Sequence, residues 1–380
     1  MNNFQPVKVA TIGCGKISDA YLATMISNFK ILDVVACCDH HPDRAEETAR
    51  KYDLKVMTGD EIMADPSIEL VVNLTQPTAH YTVIKQMLQA GKHVYTEKVL
   101  TLELAEAAEL VGIANRKNLY LGVAPDTFLG SAIQTARYVV ESGMIGEVTS
   151  CCSVLNRDGY FLVEKYPFCA KPGGGIGLDV GIYYLTALLS ILGPVGEVSG
   201  VSKTRDKTRR HIRIESLGEP YEMMCETLLA GTLQFKNGVV GSLLFDSSSI
   251  RMSPEKPTFT LFGTMGIIQM ADPNQFGGDV RVILKGNTEP FIMQQSHPYS
   301  DQSRGLGVAE MAWSLRKGRK NRANKEMAYH ALEVLLGIVK SGGSGQNYIV
   351  ESTFEKMPPL PRGYLGESYL SGDAEAAIAL

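Results

Sequence analysis

Short apolar runs alternate with helical segments along the first part of the chain. The runs that predict strands lie at 7–12, 33–38, 69–74, 92–95 and 119–123, and the segments that predict helices lie at 17–28, 43–52, 79–90 and 103–116. Gly91 follows the third of these helices, at a position where glycine commonly ends a helix. This alternation is typical of βαβ units, so residues 1–125 are predicted to form a doubly wound, nucleotide-binding domain around a parallel sheet.

The pattern changes beyond residue 145, where longer segments alternate apolar and polar residues. Residues 226–235 and 238–245 predict two strands, and Lys236-Asn237-Gly238 between them indicates a hairpin. We therefore expect a second, α+β domain over residues 126–380, with an open, largely antiparallel sheet that has helices on one face. The predicted helices lie near 175–191, 304–317 and 323–340, and the chain is expected to cross between the domains near 124–130.

The composition is typical of a water-soluble globular protein with two domains. The 380 residues are 44% hydrophobic and 21% charged, and no run of about twenty apolar residues is present that could span a bilayer. The first predicted strand begins at Val7, which leaves no room for a signal peptide. A cytoplasmic location without membrane contact is therefore expected.

The charge and the cysteines exclude further classes of function. A net charge of −4 gives no general attraction to phosphate backbones, so no nucleic-acid partner is expected. The basic segment Arg205–Arg213 is interpreted as a solvated loop, with an anion contact or a subunit contact as the alternative. None of the seven cysteines has C-x-x-C spacing, so we predict no metal site and expect small buried thiols in a reducing compartment.

A glycine-rich segment separates the first predicted strand from the first predicted helix. Its sequence, GCGKIS, matches the G-x-G-x-x-small fingerprint of dinucleotide-binding turns in the position where that fingerprint is functional. Glycines there allow a tight turn and the close approach of a pyrophosphate to the positive end of the helix. The predicted cofactor contacts in this segment are Gly13, Cys14, Gly15, Lys16 and Ile17.

An acidic residue, Asp39, ends the second predicted strand at the distance expected for a carboxylate that binds the adenosine ribose. Such a carboxylate accepts hydrogen bonds from both ribose hydroxyls and repels a 2′-phosphate. NAD is therefore favoured as the cofactor. NADP stays open, because His40, His41 and Arg44 are close enough in sequence to accommodate an extra phosphate.

Polar residues also follow the third of these predicted strands. Thr75, Gln76 and His80 lie after it, where the carboxyl edge of a parallel sheet faces a ligand crevice, and we predict that they contact the cofactor. The alternative is an ordinary helix start, in which Thr75 or Thr78 caps the helix and His80 lies on the surface.

Two further groups of residues are candidates for the chemistry. Glu97 and Lys98 follow the fourth of these strands, next to the expected nicotinamide position. In the second half, the glycine run 173–177 starts a helix that places Asp179 and Tyr183 one turn apart on one face. Glycine-rich helix starts allow the close approach of a ligand or of another backbone.

Taken together, these motifs resemble the glucose-fructose oxidoreductase / inositol dehydrogenase (Gfo/Idh/MocA) family over nearly the whole chain. The shared features occur in the family's order: the fingerprint at Gly13, Asn73-Leu74-Thr75 with Pro77 and His80, segment 90–94 leading into Glu97-Lys98, the glycine-rich helix with Asp179, and segments 262–266 and 303–307. The resemblance implies an N-terminal Rossmann domain that binds NAD and a C-terminal domain for substrate binding and oligomerisation.

The resemblance also implies roles for individual residues. Lys98 matches the catalytic lysine of the family's Glu-Lys-Pro motif, with Glu97 and Lys98 also at the cofactor, and Asp179 matches the acid of the glycine-rich helix. Tyr183 matches the tyrosine that is the proposed proton donor and acceptor in glucose-fructose oxidoreductase and the dihydrodiol dehydrogenases.

The sequence departs from the family's pattern at two places. Val99 stands where the family usually has proline, so the backbone at Lys98 is expected to be fixed differently than in the family. Segment 124–128 lacks the asparagine and arginine of many members, so contacts are not transferred there. Asp126 in this segment is either a pocket residue or a turn acid.

The chemistry expected from these residues is hydride transfer at a carbon that bears a hydroxyl group. A base must remove the hydroxyl proton, and a neighbouring Lys98 ammonium is expected to lower the pKa of Tyr183 and to stabilise the alkoxide. Asp179 either holds the lysine or binds a second hydroxyl. The predicted substrate-binding residues are Lys98, Tyr166, Asp179 and Tyr183, and the wider candidates from the second domain are Asn156, Arg157, Tyr160, Lys165 and Phe168.

Several functions fit this pattern. The leading prediction is an NAD(H)-dependent dehydrogenase for a sugar, glycoside or cyclic polyol. The alternatives are a glycoside-cleaving enzyme that oxidises its substrate transiently, a trans-dihydrodiol-type dehydrogenase, and a non-catalytic NAD-binding sensor. An open sheet with an exposed face usually finds a partner, so a homo-oligomer through the C-terminal sheet is expected.

Overall fold

The structure is a computed structural model that describes residues 5–250, 258–270 and 272–361. These residues form two compact units. The first unit contains residues 5–131, 296–328 and 358–361, and the second contains the described residues of 132–295 together with 329–357.

The helices and strands of the described residues follow in chain order. The strands are β1 (Val7–Ile12), β2 (Leu32–Cys38), β3 (Lys55–Val56), β4 (Leu70–Asn73), β5 (His93–Thr96), β6 (Leu121–Val123), β7 (Val148–Asn156), β8 (Val195–Lys203), β9 (Thr208–Arg210), β10 (Pro220–Glu222), β11 (Leu228–Phe235), β12 (Val240–Asp246), β13 (Phe259–Gly263), β14 (Gly266–Met270), β15 (Val280–Leu284), β16 (Phe291–Met293) and β17 (Tyr348–Ile349). The α-helices are α1 (Lys16–Asn28), α2 (Pro42–Tyr52), α3 (Gly59–Ala64), α4 (Pro77–Gln89), α5 (Leu104–Arg116), α6 (Ser131–Glu141), α7 (Gly159–Lys165), α8 (Ile182–Leu192), α9 (Leu306–Lys317) and α10 (Lys325–Ser344).

The first unit contains the predicted parallel sheet. Its described strands lie in the order β3-β2-β1-β4-β5-β6, and each neighbouring pair is parallel. The order reverses between β1 and β4, where Ile12 pairs with Asn73 at the carboxyl ends of the two strands. The loops that follow these strands therefore meet at the switch point, which is the usual ligand crevice of such folds.

The sequence pattern missed two short elements of this sheet. Strand β3 contains two residues, both exposed, and helix α3 contains six. Neither is long enough to show a periodic apolar pattern. Helix α3 is instead defined by a capping box, in which Thr58 and Glu61 each accept a hydrogen bond from the other's backbone N–H.

The second unit is built on a mixed, largely antiparallel sheet. Its described strands lie in the order β16-β15-β14-β13-β7-β12-β11-β8-β17, and the pair β7–β12 is parallel. The predicted hairpin is confirmed between β11 and β12, where Gly238 has a φ of 93°. Strands β9 and β10 form a separate two-stranded ribbon.

Among the described residues, helices pack on one face of the large sheet. The rings of Tyr184 of α8 and Phe245 of β12 are in tilted contact, with centroids 5.6 Å apart, and Ile338 of α10 packs over the glycines of β8 and β11. On the opposite face of β12, Val240 is 50% exposed and Leu244 is 41% exposed. The expected uncovered face is therefore present and carries apolar side chains.

Helix α9 was predicted to cover this sheet, but it packs within the first unit. Arg316 of α9 donates two hydrogen bonds to Glu69, at 2.7 and 2.8 Å, and Met311 lies against Gly122 of β6. Buried Glu310 pairs with Arg319 at 2.6 Å and with Arg322 at 2.8 Å. Because these contacts hold residues 296–328 in the first unit, the assignment of all of 126–380 to one second domain differs from the observed division.

Asp126 is neither an exposed turn acid nor an open pocket residue. Its side chain is buried, and Oδ2 accepts hydrogen bonds from the backbone N–H groups of Gly305 and Gly307, each at 3.0 Å. The carboxylate thus lies at the start of α9, where a negative charge interacts favourably with the helix dipole. Burial nevertheless raises the pKa of Asp126 to about 6.

Three classes of feature are not found in the part of the chain that the structure describes. All seven cysteines are free thiols. No helix in the described ranges is long and apolar enough to cross a membrane. Among the same residues, no three His, Cys, Asp or Glu side chains are grouped as metal ligands.

Replacing Asp126 with Asn is expected to change how stability depends on pH. With a folded pKa of about 6, Asp126 binds more protons in the folded than in the unfolded state between about pH 4 and pH 6. This group therefore lowers the free energy of unfolding as pH rises through that window, by roughly 2 to 3 kcal/mol. The amide oxygen of Asn still accepts the two N–H groups but carries no proton.

The test is urea unfolding of both proteins between pH 4.5 and 7.5. The stability of Asp126→Asn relative to the natural chain should increase across this range, whereas Asp43→Asn, at an exposed position, should show no such trend. A constant difference for Asp126→Asn would contradict the prediction.

Candidate active site

The turn after β1 is fixed by the packing of Gly13 against a neighbouring loop. Gly13 has a φ of 104°, and its N–H donates to the carbonyl of Cys38 at 2.8 Å. A Cβ at this position would lie 2.7 Å from the carbonyl carbon of Leu74 and 2.9 Å from the nitrogen of Thr75. Only glycine fits this conformation and this contact.

Asp39 lies beside this turn at the end of β2. Its Oδ2 accepts the N–H of Cys14 at 2.7 Å and its Oδ1 accepts the N–H of His41 at 2.8 Å. His40, by contrast, is 81% exposed, with Nδ1 3.3 Å from Asp39 Oδ1. The carboxylate is thus oriented by two backbone groups, and each oxygen has a further lone pair with which to accept a hydroxyl.

The start of α1 leaves room for a ligand. Gly15 is the N-cap residue, no side chain within the described ranges caps it, and a Cβ built on it would meet no atom within 4 Å. A pyrophosphate fits such a helix start, and the adjacent Asp39 fits a ribose diol. The residues present therefore fit a dinucleotide cofactor.

The other fingerprint residues differ in their exposure. Lys16 is exposed and Ile17 is half-buried, both in the first turn of α1. The side chain of Cys14 is buried in a small cluster with Cys37, Ala45 and Ala49. The prediction that Cys14 binds the cofactor thus differs from its place in the structure, where its side chain packs inside and its N–H bonds to Asp39.

The loop after β4 differs from the helix-cap alternative, and His80 lies in neither of the two predicted places. Gln76 is the exposed N-cap residue of α4, and Thr75 does not cap the helix but donates from Oγ1 to Asn73 Oδ1 at 2.7 Å. His80 is completely buried, with Nδ1 2.6 Å from the carbonyl of Val99 and Nε2 3.1 Å from the carbonyl of Thr75. His80 is therefore an interior link between two loops, rather than a ligand contact or a surface residue.

Burial lowers the pKa of His80, and the two carbonyl groups act in the opposite direction. A neutral imidazole donates from only one nitrogen, so it can hydrogen bond to only one of the two carbonyls. The shorter contact is the one from Nδ1 to Val99, which makes Nδ1 the preferred donor.

Glu97 supports the backbone of the candidate lysine. Its side chain is buried, Oε1 accepts the hydroxyl of Tyr21 at 2.6 Å, and Oε2 accepts the N–H of Lys98 at 3.1 Å. Glu97 was predicted to contact the cofactor, but its carboxylate faces α1 and makes its hydrogen bonds inside the protein. Lys98, which is half-buried, is held by Glu97 on its N–H and by His80 through the carbonyl of Val99.

In the second unit, a π-helical segment, Gly177–Gly181, runs directly into α8 and carries the other candidates. Asp179 donates its N–H to the carbonyl of Gly175 at 2.8 Å, and its Oδ2 lies 3.9 Å from Arg157 Nη1. The thiol of Cys169 is 3.8 Å from the same oxygen. Tyr183, four residues later, is 6% exposed.

The glycine run before this helix packs against protein atoms. A Cβ at Gly174 would overlap the backbone of Phe168 and Cys169, and a Cβ at Gly175 would overlap the carboxyl group of Glu226. The close approach that the glycines allow is therefore to backbone and to the half-buried carboxyl group of Glu226. Sequence reasoning missed Glu226, because it placed this residue at the start of a predicted strand.

The loop with the substrate candidates is partly organised by internal contacts. Tyr166 is half-buried, its ring lies edge-on to Phe168 with centroids 6.4 Å apart, and Lys165 Nζ is 5.4 Å from its centroid. The ring of Tyr160 is instead covered by the guanidinium of Arg209 at 4.3 Å.

The basic segment 205–213 is not wholly a solvated loop. Arg209 is only 2% exposed, and its Nη2 donates to Ser248 Oγ at 3.1 Å. This residue packs Tyr160 into the second unit, which corrects the interpretation of the segment as solvent-facing. Nearby Asn156 likewise donates to Ser249 Oγ, at 2.8 Å.

Comparison with known proteins identifies the domains. Residues 7–124 match the family described as "Oxidoreductase family, NAD-binding Rossmann fold" (GFO_IDH_MocA), and residues 133–269 match the GFO/IDH/MocA C-terminal domain. Together these matches cover more than half of the chain.

Curated relatives are similar over part of their length. An uncharacterized oxidoreductase of Schizosaccharomyces pombe is 33% identical over 195 residues, which are 50% of this chain and 52% of the relative. The trans-1,2-dihydrobenzene-1,2-diol dehydrogenase of Bos taurus is 27% identical over 260 residues, 68% of this chain and 71% of the relative. The chain thus spans about half the length of the first of these and about 71% of the second.

Solved structures share the fold over most of the chain. Levoglucosan dehydrogenase in complex with NADH superimposes with a TM-score of 0.77 at 18% identity, covering 92% of this chain and all of the other. By the two domain matches, the chain belongs to the Gfo/Idh/MocA family of oxidoreductases, with an NAD-binding Rossmann domain over residues 7–124.

Proposed function

We propose that this protein is an NAD(H)-dependent dehydrogenase that transfers a hydride to or from a hydroxyl-bearing carbon of a sugar, glycoside or cyclic polyol. The observation that carries the proposal is the support of the candidate lysine. Two buried polar side chains fix the backbone here, Glu97 at the N–H of Lys98 and His80 at the carbonyl of the next residue, Val99, which indicates a side chain that must keep its position.

The cofactor residues in this proposal are those at the β1–α1 turn. The backbone from Gly15 to Ile17 at the open helix start would hold the pyrophosphate, since the N–H groups of Gly13 and Cys14 already bond to Cys38 and Asp39. Asp39 would accept the ribose hydroxyls, which favours NAD over NADP. Thr75 and Gln76 lie on the loop that packs against Gly13 and would line the same side. When bound, NAD supplies the hydride acceptor.

The proposed chemistry assigns one task to each remaining residue. Tyr183, as its phenolate, takes the hydroxyl proton as the hydride leaves to NAD, and the Lys98 ammonium stabilises the substrate oxygen as it becomes negative. Asp179 accepts a hydrogen bond from a second hydroxyl, within reach of the cationic Arg157. In the reducing direction, Tyr183 returns the proton to the oxygen.

A hydroxyl-rich ring is the substrate class that these side chains favour. Tyr166 offers an aromatic face for such a ring, and Asp179 offers an acceptor for its hydroxyls. Two similar proteins are named for substrates that are rings with hydroxyl groups. One is a trans-1,2-dihydrobenzene-1,2-diol dehydrogenase and the other is a levoglucosan dehydrogenase.

The first test is a spectrophotometric assay of NADH formation. Purified protein would be incubated with NAD or NADP and with D-glucose, levoglucosan, methyl glucosides, myo-inositol and trans-1,2-cyclohexanediol. NADH formation with at least one compound supports the proposal. Retained cofactor without any net NADH would favour glycoside cleavage by transient oxidation, or a sensor, over a dehydrogenase.

Replacing Lys98 with Met, or Tyr183 with Phe, is expected to lower kcat by roughly a hundredfold to ten-thousandfold, because each change removes a group that handles the proton or the developing charge. NAD affinity, measured by fluorescence titration, should be largely kept. Lys117→Met, at an exposed lysine of the same unit, is the control. Full kcat in Lys98→Met would refute the assigned mechanism.

Replacing Asp39 with Ala is expected to weaken NAD binding roughly tenfold to a hundredfold, since hydrogen bonds to a charged acceptor are lost. The affinity for NADP should fall less or should rise, because repulsion of the 2′-phosphate is also removed. Calorimetric titration with both cofactors measures the ratio. Asp33→Ala, at an exposed acid on the same strand, should leave this ratio unchanged.

We also infer a homo-oligomer that forms through the uncovered face of the large sheet. By strand register, Val201, Val240, Leu244 and Phe262 project from one face, and each is at least 37% exposed. Several exposed apolar side chains on one face of a sheet are typical of a subunit interface.

Light scattering with size exclusion should therefore show a multimer, and Leu244→Arg should shift it towards monomer because the charge must be buried. Ile26→Arg places the same charge at an apolar position in the first unit that is 45% exposed, and should leave the mass unchanged. A monomeric natural protein at micromolar concentration would rule out this assembly.

A further inference from the structure

A half-buried acid lies where the glycine-rich helix of the second unit begins. Glu226 Oε1 accepts the N–H of Gly177 at 3.1 Å, and the carbonyl of Glu226 accepts the N–H of Ile176, also at 3.1 Å. Glu226 therefore bonds to two successive backbone N–H groups at a helix start that has no side-chain cap from its own segment.

The glycines of this helix start are fitted to the acid. The three atoms nearest to a Cβ built on Gly175 all belong to the Glu226 carboxyl group, and a Cβ built on Gly177 would lie 3.2 Å from Glu226 Oε1. A side chain at either position would compete with the carboxylate for space. The glycine run and Glu226 thus form one packed unit.

The carboxyl group of Glu226 is partly withdrawn from solvent. Leu229 also lies against Gly177, and burial raises the pKa of Glu226 above its usual range. Partial burial of an acid is costly unless its hydrogen bonds are made, so the contact to Gly177 determines where this carboxyl group can stay.

We propose that Glu226 is a positioning residue for the reaction, which fixes the start of the helix that carries Asp179 and Tyr183. This inference rests on the proposed function for the roles of those two residues. Asp179 lies two residues after Gly177 and Tyr183 six residues after it. Because a glycine-rich segment is intrinsically flexible, loss of the acceptor lets the first turn open and displaces both side chains.

The first measurement compares Glu226→Ala with Glu226→Gln. The amide of Gln keeps an oxygen that accepts the N–H of Gly177, whereas Ala removes the acceptor. We expect kcat to fall by roughly tenfold to a hundredfold in Glu226→Ala, since small misplacements of reacting groups cost this much. Most of kcat should return in Glu226→Gln, and NAD affinity should be unchanged in both.

Glu333→Ala is the matched control. Glu333 is a buried acid of the same unit, and it accepts the N–H groups of Glu351 at 2.9 Å and of Ser352 at 2.8 Å. It lies on α10 and not at the glycine-rich helix. The Glu333→Ala substitution should reduce thermal stability without changing kcat. Equal losses of kcat in Glu226→Ala and Glu333→Ala would show that Glu226 acts through general stability, and would overturn the proposal.

A double substitution tests the geometry directly. Gly175→Ala should lower kcat in the natural chain, because its Cβ displaces the Glu226 carboxyl group. The same change should cost much less in the Glu226→Ala background, where that carboxyl group is absent. Independent effects of the two substitutions would overturn the proposed contact.

Amide hydrogen exchange over residues 175–183 gives a measure that needs no substrate. Faster exchange of Gly177 and Leu178 in Glu226→Ala, but not in Glu226→Gln, supports the cap. Unchanged exchange overturns it. If Tyr183→Phe keeps full activity while exchange responds as expected, the proposed function fails and the cap at Glu226 stands.

Discussion

Both units depend on one kind of interaction. In it, a carboxylate accepts hydrogen bonds from backbone N–H groups at a helix start that contains glycine. Asp39 accepts the N–H of Cys14 before α1, Asp126 accepts those of Gly305 and Gly307 at α9, and Glu226 accepts that of Gly177 before α8. Each acid comes from a different part of the chain than the helix that it contacts. A negative charge at a helix start is favourable, and the missing side chain of glycine lets it approach closely.

These contacts cost free energy, because they remove acids from solvent. They are found at helix starts and loops whose position the proposed chemistry requires. Burial raises the pKa of Asp126 and of Glu226, so the folded chain holds acids in places that disfavour their charge. The same holds at Lys98, where the interior side chains of Glu97 and His80 hold the N–H of Lys98 and the carbonyl of Val99. Polar groups of this kind are stable only when their partners are in place, so they define a single arrangement of the loops that carry the proposed chemistry.

Much of the fold was predictable because it depends on local patterns. The apolar runs of β1, β2, β4, β5 and β6 and the hairpin at Gly238 follow from periodicity and turn chemistry, and the structure confirms them. The place of helix α9 was not predictable. An amphipathic pattern indicates that one face of a helix is buried, but not which surface of the protein covers that face. Arg316 and Glu69, which decide that question, are 247 residues apart in sequence.

The sequence by itself determined the fold class, the dinucleotide fingerprint with Asp39 and the family to which the chain belongs. These depend on residue type at short spacing, since a tight turn needs glycine and a ribose diol needs an acceptor. Only the tertiary structure decided the partners of the buried polar groups. It turned His80 and Glu97 from expected ligand contacts into supports for Lys98, and it brought Glu226 to Gly177 across 49 residues. Such pairings are set by how distant segments pack, and a single sequence carries no local signal of that packing.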